Sequence, residues 1–213
     1  MAEPTVFLVE DNAGYRESLR FLLETAELRV EDFGSAPEFL ARVDPGRPGC
    51  VVSDIRMPGM SGLELQEQLK RRNIRLPVIF ITGHGTVRMS VQALQSGAVD
   101  FVEKPLDGEI LVARILSAFE HDRVQRVRAK KIARVNALCE RLTAREREVM
   151  DLIFEGQSNK QIALALDLSH RTVEVHRARI MAKMECRSLP DLLRLAAECG
   201  LLNQTTEETL TRE

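Results

Sequence analysis

Short apolar runs recur through the first 120 residues, at Thr5 to Val9, Leu28 to Phe33, Cys50 to Asp54, Pro77 to Thr82 and Val99 to Glu103. Longer stretches with the period of an amphipathic helix lie between them, so the pattern predicts five strands joined by helical crossovers. Parallel strands need such crossovers to bring the chain back, and the helices then cover both faces of the sheet. Two helix starts are marked locally: Ser35 with Glu38, and Ser61 with Glu64, fit the capping box in which side chain and backbone amide satisfy each other.

From about residue 107 the helical pattern of Ile110, Leu111, Ile115, Leu116 and Phe119 continues into Arg123 to Arg134 without Gly or Pro, which predicts a single helix through a linker at 121–140. Val124, Val127, Ile132 and Val135 leave a partly apolar stripe there, which suits either packing or a solvated basic connector. Beyond residue 140 only helical patterns remain. Thr143 with Glu146, Ser158 with Gln161 and Ser188 with Asp191 open successive helices, Gly156 ends the first, and Asp167 falls in the turn before a helix starting near Ser169. Short helices separated by tight turns fit a helix-turn-helix module at 141–204. The tail from Thr205 to Glu213 has one Leu in nine residues and is expected to be disordered.

Charge divides the chain the same way. Residues 1–120 carry a net charge of -5, 121–140 carry +4, 141–204 carry +1 and the tail carries -2, so the two halves are expected to meet different partners. At 44% apolar and 29% charged, the composition is that of a soluble globular protein, and 213 residues accommodate two modest domains. The start of the chain lacks a basic signal region and no apolar run approaches the roughly 18 residues of a membrane span, so no membrane partner and a cytoplasmic location are expected. Cys50, Cys139, Cys186 and Cys199 form no C-x-x-C pair and lie at no metal-ligand spacing from the histidines, and read as reduced thiols.

Candidate chemistry sits at the strand ends. Glu10 and Asp11 follow the first strand, Asp54 closes the third, Thr82 the fourth and Lys104 the fifth. The C-terminal ends of parallel strands share one edge, so all five side chains converge on the crevice where such folds bind ligands. Three carboxylates at close range oppose folding unless a cation offsets them, which makes a hard divalent ion, Mg²⁺ first, the expected companion. Taken singly, each residue also has a plainer role: Thr82 can cap a loop into a helix near Thr86, Lys104 can be a surface cation and Phe101 can be core.

Taken together, Val9-Glu10-Asp11, Ser53-Asp54-Ile55-Arg56-Met57-Pro58-Gly59-Met60-Ser61-Gly62, Thr82-Gly83 and Glu103-Lys104-Pro105 resemble the receiver domains of response regulators over residues 4–120. The resemblance implies a flavodoxin-like, doubly wound five-stranded parallel sheet of order 2-1-3-4-5. It implies that Asp54 takes a phosphoryl group from a sensor histidine kinase. Mg²⁺ would be held by Asp11, Asp54 and the backbone carbonyl of Arg56, with Glu10 acting through water. Glu10 departs from the commoner Asp at its position. Lys104 and Thr82 would contact phosphoryl oxygens, and Phe101 would turn inward as Thr82 is drawn to the phosphate.

The stretches Leu142 to Val149, Gly156 to Ala163 and Ser169 to His176 resemble the LuxR-type helix-turn-helix over residues 141–202. Receiver and helix-turn-helix together resemble the NarL/FixJ family, nearest its FixJ branch, although Thr86 and Arg88 stand where that branch usually has Asp and Pro. In the helix from Arg171 to Met184, Val173, Ile180 and Met184 can face a core. By the same resemblance Lys160, Arg171, Thr172, His176, Arg177, Arg179 and Lys183 are candidates for phosphate contact, and Glu174, Val175 and Ala178 for base reading. The expected function is that of a regulator that is not itself an enzyme: phosphorylation of Asp54 promotes a homodimer that binds promoter DNA and activates transcription with RNA polymerase. Two other readings stay open from the residues alone, a Mg²⁺-dependent phosphatase and a phosphorylation-independent regulator whose receiver serves only as an oligomerisation module.

Overall fold

The structure, a computed structural model, describes residues 3–83 and 100–199. The helix expected near Thr86, the positions Thr86 and Arg88, Val99 at the start of the fifth strand and the tail from Thr205 lie outside the described residues. The chain divides into two compact units, Met1–Arg126 and Val127–Glu213.

In the N-terminal unit the described elements are β1 (Thr5–Val9), α1 (Ala13–Thr25), β2 (Arg29–Phe33), α2 (Ala36–Arg42), β3 (Gly49–Asp54), α3 (Gly62–Arg71), β4 (Val78–Thr82) and β5 (Asp100–Glu103), followed by α4 (Gly108–Glu140), which supplies side chains to both units. The five strands form one parallel sheet of order β2-β1-β3-β4-β5, as expected. Side chains alternate between its faces. Phe7, Val9, Val51 and Phe80 pack with Phe39 of α2 and Leu65 and Leu69 of α3. Val6, Leu8, Val52, Ile79 and Ile81 pack on the other side with Leu19 and Leu23 of α1 and Leu111 and Ile115 of α4. Burial on both faces explains why the inner strands β1, β3 and β4 read as largely apolar runs, whereas the edge strands β2 and β5 are partly exposed.

Local signals set where the helices begin. Ser61 and Glu64 complete a capping box at α3, and Ser35 accepts the Glu38 N–H at α2. Asn12, which the pattern did not mark, caps α1 by accepting the Tyr15 N–H at 3.0 Å. At the N-terminal edge of the sheet, Gly49 has φ +153°, and a Cβ there would lie 2.0 Å from the Thr5 carbonyl oxygen. Its N–H donates to Asp122 of α4 at 3.1 Å.

The C-terminal unit is helical among its described residues: the end of α4, then α5 (Ala144–Phe154), α6 (Asn159–Ala165), α7 (His170–Lys183) and α8 (Leu189–Cys199). Thr143 with Glu146 and Ser158 with Gln161 form capping boxes at α5 and α6. Ser169 caps α7, and Asp167 in the turn before it takes φ +52°. The core gathers Val135, Leu138, Val149, Ile153, Ile162, Val173, Ile180, Met184 and Leu192. Val173, Ile180 and Met184, the three residues expected to face a core from the helix at Arg171 to Met184, are all buried there. All four cysteines are free thiols, and burial in the sheet pushes the Cys50 thiol up.

Candidate functional site

The acidic residues are brought together by topology. Glu10 and Asp11 leave β1 and Asp54 ends β3, its direct neighbour in the sheet. Each of the three offers a carboxylate oxygen, and these oxygens all lie within 4.8 Å of one another. Glu10 is only 2% exposed and accepts the Asn12 N–H at 3.2 Å, while Asp11 faces solvent. Asp54 accepts the Ile55 N–H at 2.8 Å through one oxygen. Its other oxygen lies 3.5 Å from Lys104 Nζ.

Lys104 follows β5, and its backbone N–H donates to the Thr82 carbonyl at 2.8 Å, continuing the β4–β5 ladder past the end of β5. Its ammonium reaches back to Glu10 at 3.0 Å and sits 4.0 Å from the centre of the Tyr15 ring. A charge-assisted hydrogen bond to a buried carboxylate is strong, so the lysine is pinned over the acidic cluster. Thr82 is buried at the end of β4, and Phe101 of β5 is half-buried against the core on the α2–α3 side. Arg56 is exposed in the loop after Asp54. The structure therefore brings the carboxylates of Glu10, Asp11 and Asp54 together and sets the Lys104 ammonium against Glu10 and Asp54.

Three supporting residues carried no sequence-level role. Arg16 of α1 donates to the Glu10 carbonyl at 2.7 Å and to Asp32 at 3.1 Å, tying the acidic loop to the end of β2. A Cβ on Gly62 would lie 2.3 Å from the Asp54 carbonyl oxygen, so only glycine lets α3 begin this close to the strand end. Tyr15 lies against the cluster, and its hydroxyl is pushed up to about 12 by burial first and then by the charges of Glu10 and Asp54. The available signal for Tyr15 was its place one helical turn beyond Asp11, in the only tyrosine of the chain.

In the C-terminal unit, α6, the turn through Asp167 and α7 make a helix-turn-helix. Arg171, Glu174, Val175, Ala178 and Arg179 are exposed along α7, as is Lys160 on α6. Thr172, His176 and Arg177 are half-buried. Thr172 shares a 2.8 Å hydrogen bond with the Ser169 cap, and His176 turns a buried Nδ1 inward. Glu174 lies 3.5 Å from His170 Nδ1 one turn earlier. Lys183 is different from its neighbours on this helix. Its ammonium sits 2.5 Å from the buried carboxylate of Glu146, which it holds, with the Thr143 N–H, at a pKa of about 2.

Residues 6–116 match the response regulator receiver domain, and residues 140–196 match the luxR family of bacterial regulatory proteins. The chain belongs to the NarL/FixJ family of two-component response regulators. It is 43% identical to nodulation protein W of Bradyrhizobium diazoefficiens over 96% of this chain and 90% of that one. It is equally 43% identical to the transcriptional regulatory protein FixJ of Rhizobium meliloti, over 94% of this chain and 98% of that one. Among solved structures, the response regulator StyR superposes with a TM-score of 0.81 at 42% identity, covering 92% of this chain and all of that one. Full-length FixJ from B. japonicum gives 0.58 at 40% identity, covering 94% and 99%. These matches place this response regulator close to the FixJ branch, with a receiver followed by a helix-turn-helix DNA-binding domain. A receiver is not an independent enzyme, which sets aside the free-standing phosphatase. Among the described residues, no helix is long and apolar enough to cross a membrane.

Proposed function

We propose that this response regulator accepts a phosphoryl group on Asp54 from a sensor histidine kinase in the cytoplasm and, once phosphorylated, pairs with a second copy to bind promoter DNA and activate transcription with RNA polymerase. The observation that carries the reading is the Asp54 carboxylate at a strand end, beside two further carboxylates and 3.5 Å from the Lys104 ammonium. An all-oxygen donor set of this kind suits a hard divalent cation such as Mg²⁺, held by Glu10, Asp11, Asp54 and the backbone carbonyl of Arg56. When bound, it offsets the carboxylate charge and polarises the phosphoryl oxygens.

In the transfer, an Asp54 Oδ attacks phosphorus and the P–N bond to the kinase histidine breaks. The electron pair stays on that nitrogen, which takes up a proton. The new acyl phosphate concentrates roughly two negative charges at the strand ends. Lys104 exchanges its carboxylate partners for a phosphoryl oxygen, and the Thr82 hydroxyl bonds another. Drawing Thr82 inward vacates space into which Phe101 can turn, which changes the surface around β5. Hydrolysis reverses the step: water oxygen adds to phosphorus, the bond to Asp54 breaks, and the carboxylate, inorganic phosphate and a proton are released.

Wild type and Asp54→Ala, each incubated with acetyl phosphate and Mg²⁺, test this by intact mass and sedimentation on the same samples. Only wild type is expected to gain one phosphoryl group and to form a dimer. Equal DNA affinity and assembly with and without the phosphoryl group would instead favour the phosphorylation-independent regulator.

On DNA, the exposed Arg171, Arg179 and Lys160 suit phosphate contacts, and Glu174, Val175 and Ala178 suit the major groove. A carboxylate can accept from cytosine N4, so Glu174→Ala is expected to lose about 1–3 kcal/mol of discrimination at one base pair. Binding selection from a random pool reads this directly, and an unchanged motif would remove Glu174 from base reading.

A further inference from the structure

Lys104 Nζ has three partners: Glu10 at 3.0 Å, Asp54 at 3.5 Å and the face of the Tyr15 ring, 4.0 Å from its centre. They respond differently to phosphoryl transfer. The Asp54 carboxylate loses its charge when it becomes an acyl phosphate, and Glu10 belongs to the oxygen set that a divalent cation would share. The ring alone keeps its character throughout, because its attraction for a cation comes from the quadrupole of its face. Tyr15 is also firmly placed. It stands in the first turn of α1, its N–H is fixed by Asn12, and its ring packs against the core on the α1–α4 side of the sheet.

We propose that Tyr15 is a positioning residue for Lys104, its ring holding the ammonium beside Asp54 before phosphoryl transfer and beside the phosphoryl group after it. The inference rests on the phosphorylation of Asp54 proposed above. Without the ring, the flexible lysine stem has only two charged partners, one of which changes during the reaction. The ammonium then spends less time where the developing phosphoryl charge needs it. Neither the tyrosine hydroxyl nor its ionisation takes part. In the reaction itself, Asp54 Oδ bonds to phosphorus, the bridging P–O bond of acetyl phosphate breaks, and acetate leaves with the electron pair.

The test uses the full chain as wild type, Tyr15→Phe and Tyr15→Leu, with intact mass followed over time at several acetyl phosphate concentrations in Mg²⁺. Leucine keeps apolar bulk but has no ring face, and is expected to lower the saturating phosphorylation rate about 3- to 10-fold, with the half-saturating donor concentration little changed. Phenylalanine is expected to track wild type. In the metal-free proteins, NMR should show the Lys104 side-chain protons shifted upfield by the ring in wild type and Tyr15→Phe, and not in Tyr15→Leu. Wild-type rates in Tyr15→Leu, a Phe variant as slow as the Leu variant, or Lys104 protons without a ring shift in wild type would each overturn the proposal. The wild-type shift is readable whatever the stability of the variants. If wild type is phosphorylated and Tyr15→Leu matches it, only the role of Tyr15 fails; if wild type takes no phosphoryl group, the proposed function fails and this inference with it.

Discussion

Asp122→Ala is expected to destabilise the N-terminal unit by about 3–5 kcal/mol, the range for removing one partner of a buried, hydrogen-bonded charge pair. Asp122 is 3% exposed and accepts two hydrogen bonds, from the Gly49 N–H at 3.1 Å and from Arg126 Nε at 2.7 Å. Arg126 spends its other donors on the carbonyls of Gly46 at 3.0 Å and Arg47 at 2.6 Å. Alanine strands the Gly49 amide in the interior and leaves the guanidinium without its counter-charge. Asn at position 122 keeps an acceptor and should lose clearly less. Urea unfolding of the full chain, followed by the fluorescence of Tyr15, reports on this unit, since the chain has one tyrosine and no tryptophan. A loss below about 1 kcal/mol in Asp122→Ala, the size of an ordinary neutral hydrogen bond, would show that water replaces the carboxylate at no great cost.

Lys183→Met is expected to cost the C-terminal unit about 2–3 kcal/mol, in the range for a charge-assisted hydrogen bond to a buried group. The lysine side chain is 30% exposed, so solvent screens the pair in part, but Glu146 behind it is buried. The pH dependence gives a sharper reading. Glu146 has a pKa of about 2 in the folded protein, lowered from 4.5 first by the Lys183 hydrogen bond and next by the Thr143 N–H. A carboxyl group whose folded pKa is depressed stabilises the fold above its unfolded value, and that stability is lost as pH falls through the folded one. Wild type should therefore lose stability progressively from about pH 4.5 towards pH 2. In Lys183→Met the depression shrinks, leaving only the Thr143 contribution, so acid should remove less stability. Thermal unfolding of both proteins between these limits, followed by circular dichroism, checks it; parallel pH profiles would mean that Lys183 does not hold Glu146.

The same ion pair bears on DNA recognition. Lys183 stood among the candidate phosphate contacts because it lies on the recognition helix with Arg177 and Arg179, and position along the helix does not reveal that its ammonium is already engaged. Arg179 is exposed and keeps its guanidinium available to solvent, whereas the Lys183 ammonium can reach DNA only by leaving Glu146.

Several features were legible because their causes are local. Apolar strand runs, helical crossovers and capping boxes at Ser61 and Thr143 depend on residues a few positions apart, and they suffice to put Glu10, Asp11, Asp54, Thr82 and Lys104 at one edge of a parallel sheet, whereas the strand order is what the resemblance to receiver domains implies. The composition of that edge, with three carboxylates and one lysine, follows from sequence once the strand ends are known. Asp122 shows the limit. By sequence it is one acidic residue at the head of a basic helical stretch, indistinguishable from a solvated side chain. Only the return of α4 across the start of β3, 73 residues earlier, buries it against Gly49.

What the sequence by itself determined, then, is the kind of architecture and the membership of the acidic cluster, because periodicity, capping and strand-end position are short-range properties of the chain, and, through the resemblance of its motifs, the family. Tertiary structure alone decided the partners within those sets: Lys104 against Glu10 across 94 residues and against the Tyr15 ring, Lys183 against Glu146 across 37, and the glycine required at position 62 by the backbone of Asp54. These are choices among several chemically equivalent partners, and they are made by which surfaces the packed helices and strands bring within a few ångströms of one another.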